Sequence, residues 1–178
     1  GTYTITIKGV CESFDFNAIK TSKDKITKIV QWGVLGDGLT SNTLAFKDCK
    51  RLQGGIPTPS KNSFKNIAYF DNLFKGCSLL EGPIPYNMFY NCPKVSSFGN
   101  GGWAGCFDGC TNLKGSIHES LFKNCPNVVR FNNIFRDCAN LTGNIPENLF
   151  ENCLNIENVH KAFAGCKKLT GNIPENLF

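Results

Sequence analysis

The sequence predicts an α/β repeat solenoid built from 28-residue coils, and three observations predict it. The decapeptide LTGNIPENLF at residues 141–150 returns letter for letter at residues 169–178, 28 residues on. The phrase F-x-x-C-x-x-L-x-G-x-I-P starts at Phe46, Phe74, Phe107, Phe135 and Phe163, at spacings of 28, 33, 28 and 28 residues. A related half-phrase, F-x-N-C-x-x-V/I-x-x-F, fills the rest of each unit. Self-similarity at a fixed period of roughly 20–50 residues is the mark of stacked repeats, because one such unit cannot bury its own apolar face.

Each column of the phrase has a physical reason. Cysteine recurs at Cys49, Cys77, Cys110, Cys138 and Cys166, and leucine at Leu52, Leu80, Leu113, Leu141 and Leu169. Isoleucine recurs at Ile56, Ile84, Ile117, Ile145 and Ile173. Stacked copies set like residues over like at about 4.8 Å, so each column becomes an internal ladder. Phenylalanine and cysteine fill the gaps, free cysteine acting there as a small hydrophobe. The glycine column, Gly54, Gly82, Gly115, Gly143 and Gly171, marks a backbone position that needs positive φ or a close approach. Proline follows at Pro57, Pro85, Pro146 and Pro174, with His118 as the departure, and suits the first position of a short helical turn. Each coil then reads as a short strand near L-x-G-x-I, a helical turn near P-x-x-L-F-x-x-C, a second short strand near C-x-x-V-x-x-F, and a tight turn. The second half-phrase is carried by Phe89, Cys92, Val95 and Phe98, by Phe122, Cys125, Val128 and Phe131, and by Phe150, Cys153, Ile156 and Val159. In the first unit it has decayed, with Lys61 and Phe64 in place of Phe and Cys.

These residues resemble the BspA-like leucine-rich repeats of bacterial surface proteins, whose hallmark is a repeated A/x-F-x-x-C-x-x-L. The resemblance covers residues 44–178. It implies a right-handed leucine-rich-repeat solenoid, displayed at a bacterial cell surface or secreted, used for adhesion or for binding host or matrix proteins. The unit here is 28 residues rather than the shorter family norm, and the L-T-G-N-I-P segment also looks like the plant-type repeat.

Residues 1–43 stand outside the phrase. Alternation over residues 2–10, with Tyr3, Ile5 and Ile7 on one side, reads as a half-buried strand. The apolar segment 26–32 leads into a glycine-rich turn at Gly33, Gly36 and Gly38. A small β N-terminal cap over the first coil is expected, with Trp32 as packing; the alternative is a linker from a preceding domain. At the other end the chain stops in mid-pattern, so a piece of a longer polypeptide is expected, with end-to-end self-association possible through the last coil. The 33-residue spacing places five extra residues near Gly99-Asn100-Gly101-Gly102-Trp103. Repeat insertions map to loops on one face, often the binding face, which makes Asn100 and Trp103 candidate contacts. The alternative is that Trp103 folds back over its neighbouring coil.

No chemistry-bearing pattern in the sequence is complete. Cys106 and Cys110 lie four apart near His118, but zinc needs four convergent ligands, and Cys106 falls in the core column of Leu73, Ile134 and Ala162. Parallel stacked cysteines place their Cβ atoms too far apart for easy disulfide closure, so mostly free, buried thiols are expected, with Cys11 outside the pattern. A cysteine nucleophile needs a base within reach, and His118 and His160 belong to no such motif. Glu147 and Glu175 occupy one repeat position on separate coils, and no phosphate loop or dinucleotide fingerprint occurs. No catalytic residue, cofactor or metal is expected. The net charge of +5 is spread too thinly for a nucleic-acid footprint, and no apolar run approaches the roughly 18 residues that would insert in a membrane.

What remains is recognition: a non-enzymatic surface protein that binds a protein or glycan ligand on a host or neighbouring cell. Exposed variable positions between ladder residues are the candidate contacts: Lys123, Asn127, Arg130, Glu151, Asn155 and Glu157 join Asn100 and Trp103. The alternative is a passive stalk or spacer that displays another domain of a larger surface protein.

Overall fold

In the computed structural model, the described residues are 14–15, 23–33, 44–102 and 105–178. The strand expected over residues 2–10, Cys11 and Trp103 lie outside them. The described elements are short: β1 (Phe14–Asp15), β2 (Leu44–Ala45), β3 (Ser97–Gly99), β4 (Arg130–Phe131), β5 (Gly143–Asn144) and β6 (Leu169–Thr170), with 3-10 turns at Lys23–Lys25 and Glu119–Phe122. All pairing among the described residues is parallel: β1, from the segment before the repeats, with β2, and then from one repeat to the next β3 with β4 and β5 with β6. Isolated parallel bridges at Gly54–Leu80, Gly82–Leu113 and Gly115–Leu141 extend the β5–β6 pattern, and Tyr69–Ser97 and Arg130–Asn158 extend that of β3–β4. The two strand sites expected in each repeat are therefore both used.

The backbone between strands is satisfied by hydrogen bonds from repeat to repeat. On one side the amides of Phe46, Phe74, Phe107 and Phe135 donate forward, to the carbonyls of Leu73, Cys106, Ile134 and Ala162 at 2.6–2.9 Å. On another they donate backward, Glu81 to Gly54, Lys114 to Gly82 and Thr142 to Gly115 at 3.0–3.1 Å. Buried amides must find partners somewhere, and strands this short leave most of that task to these ladders. The glycine column does adopt positive φ, from 74° to 88° at all five positions. A second left-handed column precedes each cysteine: Asp48, Gly76, Gly109, Asp137 and Gly165. Asp and Gly are among the residues that tolerate this region, and no bulky residue stands there.

The expected helical turn is mostly a single hydrogen-bonded turn, and no α-helix occurs among the described residues. The proline column also sits one place earlier than expected. His118 is the N-cap of the 3-10 turn, not its first residue, and the Pro85, Pro146 and Pro174 carbonyls accept from the amide three residues on. An N-cap needs an extended backbone and a free carbonyl, both of which proline supplies.

The core runs the length of the repeats as three phenylalanine stacks. One is Phe46–Phe74–Phe107–Phe135–Phe163, with centroids 5.6–5.8 Å apart and near-parallel planes. Another is Phe70–Phe98–Phe131, and a third Phe89–Phe122–Phe150–Phe178. The leucine column is fully buried through Leu141 and becomes partly exposed at Leu169 in the last coil. At the first coil, Trp32 is buried edge-on against Phe46 and Phe64 and donates its indole N–H to the Pro57 carbonyl at 2.7 Å. The Gln53 amide donates back to Thr27, so this segment continues the ladder that later repeats use among themselves.

Candidate functional site

The five-residue insertion falls between two residues that a hydrogen bond joins. In the regular repeats a turn bond joins Phe70 to Leu73, Phe131 to Ile134 and Val159 to Ala162. In the long repeat the equivalent bond runs from the Cys106 amide to the Phe98 carbonyl at 2.9 Å. Asn100, Gly101 and Gly102 are exposed. The loop leans on the following coil, where the buried Asn133 donates its amide to the Gly102 carbonyl at 3.3 Å.

The other candidate contacts divide by what they touch. Asn127 and Asn155 are exposed, but their amides donate to the Pro93 and Pro126 carbonyls of the preceding coil, at 2.8 and 3.2 Å. They tie coil to coil, as Asn91 does to Lys61 and Asn140 to Thr111, so their side chains carry a structural task. Arg130 and Glu157 come together across the β4 edge, 3.9 Å apart and both partly open to solvent. Arg130 also faces Asp71 in the coil below, whose carboxyl is raised above its ordinary range by burial against the opposing pull of the Ser97 hydroxyl, 2.6 Å away, and of Arg130. Lys123 and Glu151 are exposed at one repeat position, which Tyr90 holds one coil earlier. Neither lies beside the β4 cluster in sequence column, so the candidates form two surfaces: a strand edge and a turn edge.

The turn edge holds the aromatic residues that periodicity does not single out. Tyr86 and Tyr90 are 59 % and 39 % exposed. The His118 ring stands 5.5 Å from that of Tyr86, and its Nδ1 accepts the Ser120 amide N–H at 3.2 Å. The signal for this edge was present in the sequence as the decay at Lys61, together with the histidine that replaces a column proline.

The cysteines form ladders of their own. The nine described cysteines are free thiols, and all but Cys166 are buried. The thiols of Cys77, Cys110, Cys138 and Cys166 donate to the carbonyls of Phe46, Phe74, Phe107 and Phe135 in the preceding coil, at 2.9–3.1 Å. Burial pushes Cys153 up to about 12 and Cys166 up to about 11, and holds Cys106, Cys110 and Cys138 well above the usual thiol range. A thiol held protonated in an apolar interior is a poor nucleophile and a poor metal ligand. Among the described residues no three His, Cys, Asp or Glu side chains gather as a metal site, and no helix is long and apolar enough to cross a membrane. Lys75 pairs with the buried Asp108 at 3.1 Å and links neighbouring coils.

No family profile, curated protein or solved structure matches this chain.

Proposed function

We propose that this chain is a non-enzymatic recognition module: a right-handed leucine-rich-repeat solenoid, secreted or displayed on a bacterial cell surface, that binds a protein or glycan through exposed residues on successive coils. One observation carries the reading. Interior columns repeat the same residue from coil to coil, while the exposed position of Tyr90, Lys123 and Glu151 changes from aromatic to cationic to anionic. Stacking alone places no demand on that position, whereas a surface that reads a partner over several coils needs different chemistry at each. The resemblance to BspA-like repeats and the exposed Asn100, Gly101 and Gly102 of the insertion support the same reading.

The test is a search for saturable binding by immobilised full chain, against extracellular-matrix proteins and a panel of oligosaccharides. A recognition module retains one of these, and the charge reversals Lys123→Glu and Glu151→Lys, or Arg130→Glu, weaken it while leaving the thermal transition unchanged. The competing role of spacer requires that no saturable ligand appears and that the same substitutions change nothing.

A further inference from the structure

In the later coils the turn after the proline column buries two apolar neighbours: Met88 with Phe89, Leu121 with Phe122, Leu149 with Phe150. The first coil carries Ser60 and Lys61 at those two places, and both are exposed. Two ladders therefore end one coil early, and a cavity of about 390 Å³ opens between residues 59–64 and 86–92. The core beneath stays sealed. Phe64 and Met88 line the cavity and are themselves buried, and Phe64 packs edge-on against Trp32 and Phe70 at 5.2 and 5.3 Å. Tyr86 and Tyr90, the two exposed tyrosines among the described residues, stand on its wall.

We propose that this cavity binds a saccharide unit carrying a carboxylate. The inference rests on the reading of the chain as a recognition module and names the ligand class of one site on it. Three properties of the lining select that class. Two tyrosines, one of them held by the His118 ring, offer flat amphipathic surfaces with a polar tip, which suit a sugar ring with an apolar C–H face and a hydroxyl edge. The neutral polar groups are hydroxyls and amides, which both donate and accept, as sugar hydroxyls do. Lys61 is the only charged side chain among the described residues lining the cavity, so the local field favours an anion and no carboxylate opposes it. The Asn91 amide holds the Lys61 carbonyl at 2.7 Å, which fixes the backbone that presents the ammonium group. The volume lies in the range of small-molecule sites, room on the order of one or two sugar rings. A phosphate ion alone would make no use of the two tyrosines.

The experiment is calorimetric titration of the full chain with a glucuronate-containing disaccharide, the matching neutral disaccharide, inorganic phosphate and a polyproline peptide. The acidic disaccharide is expected to bind, and Tyr86→Ala and Tyr90→Ala each to weaken it roughly tenfold or more, the size of a truncated aromatic contact. Lys61→Gln is expected to bring the acidic sugar down to the affinity of the neutral one and leave the neutral one unchanged. All three residues are exposed, and an unaltered melting curve confirms that each variant folds. Binding of the peptide or of phosphate alone overturns the proposal, as does a failure of both sugars or indifference to all three substitutions. If the cavity fails while a ligand still responds to Lys123→Glu, Glu151→Lys or Arg130→Glu, the recognition reading stands and the saccharide site falls.

Discussion

Cys110 shows why a thiol is repeated down this core. Its neighbour below, the Phe74 carbonyl, already accepts the Cys77 amide at 3.0 Å, and the Cys110 thiol fills its second lone pair at the same distance. Valine would pack there without donating; serine would donate but bury a hydroxyl; cysteine does both in a small volume. Cys110→Ala should cost about 1–3 kcal/mol, from lost packing and a carbonyl left with one partner. A lower urea midpoint with an unchanged slope checks it. Truncating a ring in the stack should cost more: Phe107→Ala is expected to lose about 3–5 kcal/mol, since Phe107 lies between Phe74 and Phe135. The thiols also set an alkaline limit. Burial raises Cys110, Cys153 and Cys166 above the 9.0 of an exposed thiol, so at these positions the folded chain keeps protons that the unfolded chain has released. The stability they contribute is complete below about pH 9 and is lost as pH rises through the folded values. Melting temperature should therefore fall steadily above about pH 9, and a flat profile there would contradict the buried protonated ladder.

At the scale of the element, the inserted loop is separable from the coil that carries it. Removing residues 100–104 leaves Phe98-Gly99-Gly105-Cys106-Phe107, the same five-residue frame as Phe70-Asp71-Asn72-Leu73-Phe74. The deletion variant should fold with its repeat ladders intact, and circular dichroism with thermal melting reads this directly. Gly105 is another matter. A Cβ there would overlap the Asn133 carbonyl of the next coil, whereas a Cβ at Gly102 meets nothing. Gly105→Ala in the full-length loop should destabilise by about 1–3 kcal/mol, as overpacking does, while Gly102→Ala should be neutral. Equal effects at the two sites would show that the loop does not lean on its neighbour as described.

For the molecule as a whole, the two ends differ. Trp32 packs over the first coil, whereas at the other end of the described stack Ile173 is 69 % exposed where its equivalent Ile145 is 9 % exposed. Phe178 is also open, although it stacks on Phe150. In the 178-residue polypeptide an exposed apolar face of this kind can pair with its own copy, last coil to last coil, which closes a dimer and does not grow a filament. Light scattering should show mass rising with concentration and levelling at the dimer. Ile173→Lys with Phe178→Lys should hold the chain monomeric, and continued growth past the dimer would refute the tail-to-tail pairing.

The repeat period, the buried columns and the positive φ of the glycine column were legible in the sequence, because a residue that repeats in register must meet the same surroundings each time. The left-handed column before each cysteine was equally legible, because only Asp and Gly occupy it. Other matters depended on tertiary placement. Asn127 and Asn155 look like free surface amides in the sequence, but a carbonyl lies within reach only because another coil sits below. Lys61 reads as simple decay until the ladder it interrupts is seen to end at a cavity beside Tyr86 and Tyr90. Periodic letters report what every coil shares; a cross-coil hydrogen bond or a cavity depends on which neighbour each coil meets, and only the packed stack sets that.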